Sequence, residues 1–403
     1  VKLILNKTEA DDNPGSDRYS RSAELLQNWL EDESLKRDGK ESLYYYEQSY
    51  KTKDGAAKSR KGFIARVKIE ELGKGVIFPH EKTLSGPKKD RLSLMETCKT
   101  NYSCIFSLFN ESKDLPLEER VLYNFNSALN GPPQIEVTGD DGVLNKLWVV
   151  DDPAVISGVS SAMEDKKLYI ADGHHRYETA LNYRNKKRAE GAGEAPDLPH
   201  ESVLMYLTPM DETLEVYPTH RVVHALKDVE LGGAFLKVLD EYFNTEVLDF
   251  TEKNESYVRS EFLEKLKIGE EDHNKLGLTL NGESRYVILT LKGKEVMDKV
   301  FGDSIGSLYK ALDVTVLHSL VLGKLLGISI EAQEKKTNLI YVKDADEAIE
   351  LANAEENQLA FIMNATSVED VKQISDAGLL MPQKSTYFFP KLLSGVVINP
   401  LWD

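Results

Sequence analysis

Between Lys167 and Glu190 the sequence changes its period, and that change constrains the fold more than any other feature. Lys167-Leu168-Tyr169-Ile170-Ala171 reads as a short buried strand. It runs directly into Asp172-Gly173-His174-His175-Arg176, and a helical pattern follows from Tyr177 to about Glu190. A strand that halts at glycine and opens a helix is the repeating step of an α/β chain. The same junction carries chemistry. Amides at a helix start, with the positive end of the helix dipole, attract anions. Gly173 permits positive φ or close backbone approach. Arg176 offers a planar fork suited to phosphate or carboxylate. Asp172 can cap the helix, hold a metal or polarise a histidine. The plainer reading makes Asp172 a cap and leaves His174 and His175 on the surface. Two histidines and an arginine are poor core residues, so this segment is taken as the working site.

Two other segments gather similar groups. Pro79-His80-Glu81-Lys82-Thr83 continues to Lys88-Lys89-Asp90-Arg91 across a Gly/Pro-punctuated loop. Glu81 can act as a general base toward a hydroxyl. Lys82, Lys88, Lys89 and Arg91 can offset phosphate charge. An ordinary solvated charge run is the competing account. Pro382-Gln383-Lys384-Ser385-Thr386-Tyr387-Phe388-Phe389-Pro390-Lys391 places two lysines around hydroxyls and aromatics. It can cover a ligand or supply a phosphate-binding lysine, or simply brace a strand between prolines. Pro218-Thr219-His220-Arg221 can line the same pocket or form a half-buried strand. His224 and His318 are read as structural.

Composition limits the class. The chain has 403 residues, which suggests two or three domains. Acidic residues number 67 against 50 basic, a formal charge of -17, which argues against a general nucleic-acid surface. Cys98 and Cys104 are too few for a disulfide framework and lack zinc-type spacing; both read as small buried hydrophobes. A reducing, cytoplasmic setting is expected, with no membrane partner, since no apolar run reaches the roughly 20 residues of a span. There is no phosphate-loop, dinucleotide, nucleophile-elbow or His-Glu-x-x-His motif.

Strand patterns are expected at Val1–Leu5, Ser42–Tyr50, Lys61–Ile69, Ser103–Phe109, Gln134–Val137, Lys146–Val150, Ser202–Leu207, Glu215–Val223, Asn338–Val342, Leu359–Asn364 and Gly395–Asn399; the polar stretch Lys51–Arg60 between the second and third contains Asp54-Gly55, a hairpin signal. Helices are expected over Asp17–Leu35, Leu92–Thr100, Leu117–Leu129, Val314–Leu326, Asp344–Asn353 and Ser367–Ala377, with a short acidic one before Gly75. The first strand reads as if met in mid-course, so residues upstream of Val1 are expected. Three divisions follow: a core over 1–200, an inserted or second α/β subdomain over 201–330, and a C-terminal α/β portion over 331–403.

Taken together, these motifs resemble an uncharacterised bacterial and archaeal family, domain of unknown function 1015, over essentially the whole chain. Members of that family usually carry an additional N-terminal Pro-Pro-Tyr-Asp-Val run, which is absent here. The Asp-Gly-His-His-Arg turn after a buried strand is also similar to ParB/sulfiredoxin-like free serine kinases, which carry an upstream His-Glu pair. The resemblance implies an α/β (α+β mixed-sheet) fold: a ParB/sulfiredoxin-like core with inserted and C-terminal α/β subdomains. It implies phosphoryl transfer from a nucleoside di- or triphosphate, helped by Mg²⁺, to the hydroxyl of a small metabolite such as free serine. Glu81 would then be the base, and His174 or His175 would stabilise the transferring group. Gly173, Arg176, His80, Lys82, Thr83, Arg91, Lys384 and Lys391 would handle phosphate or nucleotide, and Asp172 or Asp90 the metal. The separation of Glu81 from the turn is longer here than in those small kinases. Two other classes stay open: a nucleotide-binding switch without metabolite turnover, and a metal-dependent hydrolase using His174, His175 and Asp172.

Overall fold

A computed structural model describes residues 2–13, 15–73, 75–83, 85–227, 229–267, 274–354 and 356–402. The chain forms two compact units. One comprises Val1–Pro79, Thr83–Glu215 and Pro390–Asp403; the other comprises His80–Lys82 and Val216–Phe389.

The strands of the first unit up to residue 209 are β1 (Leu43–Lys51), β2 (Ala57–Lys68), β3 (Ile77–Phe78), β4 (Thr100–Asn101), β5 (Ile105–Phe109), β6 (Ile135–Thr138), β7 (Leu144–Val150), β8 (Leu168–Asp172) and β9 (Ser202–Pro209). All but β4 join one mixed sheet in the order β3-β8-β5-β9-β2-β1-β7-β6. β3 and β8 run parallel, as do β5 and β9, while the remaining pairs are antiparallel. The expected hairpin turns at Asp54-Gly55, where Gly55 takes φ +86°. Four helices accompany the sheet: α1 (Arg18–Glu31), α2 (Ser85–Cys98), α3 (Pro153–Met163) and α4 (His174–Ala189). Phe63, Ile105, Phe109, Phe125 and Ile170 share one core.

In the second unit, six antiparallel strands form a sheet. In spatial order they are Phe243–Asp249, Arg285–Leu291, Lys275–Leu280, Asn357–Met363, His220–His224 and Leu339–Val342. Side chains alternate faces along a strand. Val223, Val287, Leu289, Leu359 and Phe361 therefore enter one core, and Val222, Tyr286, Ile288, Ala360 and Ile362 the other. Helices Glu255–Leu266 and Ala345–Ala352 supply Phe262 and Ile349 to the second core. The helix Val316–Leu325 supplies Leu317, Leu320 and Val321 to the first, and it is wound as a π-helix.

The mixed α/β architecture agrees with expectation, but several local readings do not survive. Lys2–Leu5 form turn and bend, not strand, although Leu3 is buried; Val1 lies outside the described residues. Leu117–Leu129 is not one helix but two short 3-10 segments, Leu117–Glu119 and Val121–Phe125. Residues 69–73 form no helix, and the expected strand Gly395–Asn399 shrinks to Asn399–Pro400, paired with β4. Helix α3 went unforeseen, although Asp152 caps it and Pro153 occupies its first turn. Both cysteines are buried and unbridged. Among the described residues no helix is long and apolar enough to cross a membrane.

Candidate functional site

The turn after β8 is shaped by a glycine and an arginine. Gly173 has φ +97°, left-handed backbone that disfavours any side chain. A Cβ there would also lie 2.8 Å from the Arg176 Nη2. The missing side chain is thus the space into which the Arg176 guanidinium folds back over the turn. The ladder between β5 and β8 slips its register here: Ser107 faces Ile170, yet Phe106 faces Asp172. Such a slip re-aims the side chain that follows it.

Arg176 is held on three sides. It donates to Asp172 Oδ2 at 2.6 Å, to Ser103 Oγ at 3.2 Å and to the Cys104 carbonyl. Lys391 donates from Nζ to the other carboxylate oxygen of Asp172 at 2.7 Å. Burial acts to raise the Asp172 pKa, but Lys391 and Arg176 outweigh it and hold the carboxyl at about 2. Asp172 therefore stays ionised at neutral pH, between two cations. His174 is buried and His175 half-buried on the first turn of α4. The first-turn amides of a helix have no intrahelical acceptor, so the anion-attracting end of α4 lies within this cluster. Arg91 and Arg176 line a small cavity of about 40 Å³, together with Ser103.

Lys391 is positioned from beneath. Arg60 is fully buried, 4.4 Å above the Phe106 ring, and donates to the Pro390 carbonyl at 2.6 Å and to Gln48. Gln48 donates in turn to the Lys391 carbonyl at 3.0 Å. Thr83 and Lys88 are both tied to Glu178 on α4, Thr83 at 2.7 Å. Asp90 is elsewhere engaged: its carboxylate accepts from Tyr19 at 2.8 Å and pairs with Arg18.

In the second unit the His-Glu pair meets the Lys384–Phe388 run. His80 is fully buried, and its Nε2 is 2.8 Å from Thr386 Oγ1. Glu81 Oε1 accepts from both the amide and the hydroxyl of Thr386 at 3.2 Å. The Met381 amide donates to the His80 carbonyl at 2.7 Å, and Lys82 N donates to the Met381 carbonyl. His80 thus acts on Thr386 from inside the unit, while Lys82 and Lys384 are exposed. The Lys384 carbonyl accepts from Arg221 at 3.3 Å. Arg221 is wholly enclosed, and burial pushes its pKa down to about 10 despite Tyr341 and Glu81. It also donates to His318 Nε2 at 3.1 Å. His318 Nδ1 meets the Gln333 carbonyl oxygen at 2.8 Å, so its proton is on Nδ1. Burial and Arg221 hold His318 neutral, with a pKa of about 3.

The structure thus gathers Asp172, Gly173, His174, His175, Arg176, Arg91 and Lys391 in one unit, with Thr83 tied to Glu178 farther along α4. It gathers His80, Glu81, Lys82 and Lys384 in the other. Arg60, Gln48, Ser103, Glu178 and Thr386 support these groups and were not singled out from sequence as supports. Thr386 lies inside the C-terminal run Pro382–Lys391, and Glu178 follows Arg176 by two residues, so both sat within segments the sequence pointed to. Among the described residues, no three His, Cys, Asp or Glu side chains cluster as a metal cage.

The family described as "Protein of unknown function (DUF1015)" matches residues 1–315. The chain belongs to this family. No curated protein matches it. Among solved structures it is similar to a mutant free serine kinase in complex with AMP, at 14% identity and TM-score 0.36, covering 81% of this chain and 87% of that one. It is similar to a conserved hypothetical protein from Pyrococcus furiosus at 15% identity and TM-score 0.35, covering 84% and 95%. A truncated SbnI from Staphylococcus aureus is similar at 11% identity and TM-score 0.37, covering 84% and 87%.

Proposed function

We propose that this DUF1015 protein is a nucleotide-dependent phosphotransferase acting on the hydroxyl of a small metabolite, with free serine the first candidate. One observation carries the reading: the Gly173 turn folds Arg176 back beside the start of α4, where Lys391 is also held. Arg176, Lys391 and the first-turn amides suit phosphate oxygens, since charged donors and helix N-termini bind them well. Arg91, on the same small cavity as Arg176, adds positive charge. His174 or His175 stabilises the transferring group. Glu81, as the resemblance assigns it, accepts the hydroxyl proton; its link to Thr386 fixes the carboxylate's orientation. The ionised Asp172 is the group suited to Mg²⁺, which commonly keeps only one or two protein carboxylates. Mg²⁺ with the nucleotide supplies charge neutralisation in such transfers.

The test is thermal shift of the full chain with ATP, ADP, CTP and GTP, each with Mg²⁺, beside Arg176→Ala. A ligand of the native state raises its apparent stability. A nucleotide-specific shift that Arg176→Ala abolishes is expected. Serine phosphorylation followed by phosphorus NMR should then fall at least about a hundredfold in Glu81→Gln. No shift with any nucleotide overturns the reading.

A further inference from the structure

The second unit contains a cavity of about 700 Å³ beside the π-helix Val316–Leu325. That volume lies within the range of small-molecule sites. Its wall is mainly apolar: Phe301, Ile305, Tyr309, Ile328, Tyr341 and Leu380 face it. At its margin Ile330 is exposed and extends the apolar surface outward. Tyr309 is pinned, accepting from the Leu380 amide at 2.6 Å and donating to the Leu380 carbonyl. The aromatic wall is therefore preformed.

Polar side chains interrupt this apolar surface. Thr315 and Gln383 both line the cavity. The buried Thr315 hydroxyl and the Gln383 side-chain nitrogen have no hydrogen-bond partner among the described residues. Burying such a group unpaired is unfavourable, so a partner for it is favoured. Both are donors not committed within the described residues. Lys82 and Lys324 are exposed lining residues, against one carboxylate, Glu334. His318 presents a neutral ring whose two nitrogens are already engaged. Turns wound in the π form are frequent at functional sites.

We propose that this cavity binds a small carboxylic acid with an apolar body. The body lies against the aromatic and aliphatic wall. The carboxylate accepts from Thr315 and Gln383 and is balanced by Lys82. A neutral ligand would leave the positive margin unused, and inorganic phosphate would leave the apolar wall uncovered.

The test is calorimetric titration of the full chain with hexanoate, octanoate and 4-phenylbutyrate, their primary amides, and inorganic phosphate. At least one acid should bind, about tenfold or more tightly than its amide, with phosphate silent. Gln383→Leu and Thr315→Val should each weaken it about tenfold. Lys82→Met, at an exposed position, should do the same if the buried variants fail to fold. Arg176→Ala, in the other unit, should keep acid binding even where it loses nucleotide. Gln383→Leu should keep the nucleotide shift, so failure of one proposal is separable from failure of the other. The idea is overturned if no acid binds at about 10 mM, if acid and amide bind alike, or if folded Gln383→Leu and Lys82→Met bind undiminished.

Discussion

At the scale of single residues, Asp172 decides how the turn behaves. Its carboxylate lies between Lys391 and Arg176, and its pKa falls from 3.8 to about 2. A depressed carboxylate pKa stabilises the native state above the unfolded value, and that contribution is lost as pH falls through the folded one. The side chain is 37% exposed, so solvent screening keeps the contribution to no more than about 1 kcal/mol. The stability gap between the native protein and Asp172→Asn should therefore stay constant from pH 8 to about 5. It should narrow below about pH 4. Urea melts at stepped pH measure this; a gap that changes between pH 5 and 8 would assign the titration to another group. The residue types at this turn were legible in sequence because strand, glycine and arginine follow one another directly. The engagement of Asp172 by Lys391 was not, since 219 positions separate the partners.

Among elements, the hairpin β1–β2 does more than supply strands. Its register places Gln48 opposite Arg60, and together they hold the Pro390–Lys391 backbone. Arg60→Ala leaves the Gln48 oxygen and the Pro390 carbonyl buried without this donor, at about 1–3 kcal/mol each. We expect a loss of about 3 kcal/mol in denaturant melts. Hydrogen exchange should also accelerate at Lys391 well before the β1–β2 ladder opens. Equal protection in the variant would show that the segment is held by other contacts. The hairpin itself was readable from period and from Asp54-Gly55. Its role was hidden because Arg60 ends the polar Lys51–Arg60 stretch, which reads as the connection between the strands and not as part of one. Helix α3 was missed for another reason: Val155 and Val159 are its only buried residues, so its apolar stripe is thin. The segment Leu117–Leu129 misled in the opposite direction. Its apolar residues fit helical spacing, but Val121 and Phe125 reach the core from a short 3-10 turn.

For the whole molecule, the governing fact is that each unit has core clusters of its own. Phe63 and Phe125 pack in the first, with ring centres 5.4 Å apart, and Phe262 stacks on Tyr286 in the second at 4.9 Å. Chain order hides this division, because the second unit takes His80–Lys82 from deep within the first and returns Pro390–Asp403 to it. Local periodicity reports elements, whereas this exchange depends on contacts between residues hundreds of positions apart. A chain with separate cores need not unfold in one step. Removing a buried phenylalanine costs about 3–5 kcal/mol where its neighbours cannot collapse into the gap. Phe63→Ala should therefore accelerate hydrogen exchange throughout β1, β2 and β9, and leave Arg285–Leu291 protected as in the native protein. Phe262→Ala should do the converse, loosening Lys275–Leu280 and Arg285–Leu291 while β2 and β9 keep their protection. Mass-spectrometric exchange of the two variants side by side reads both outcomes. If either substitution accelerates exchange equally in both sheets, the two cores open as one cooperative body. Ligand effects seen at the Gly173 turn could then no longer be treated separately from those at the π-helix cavity.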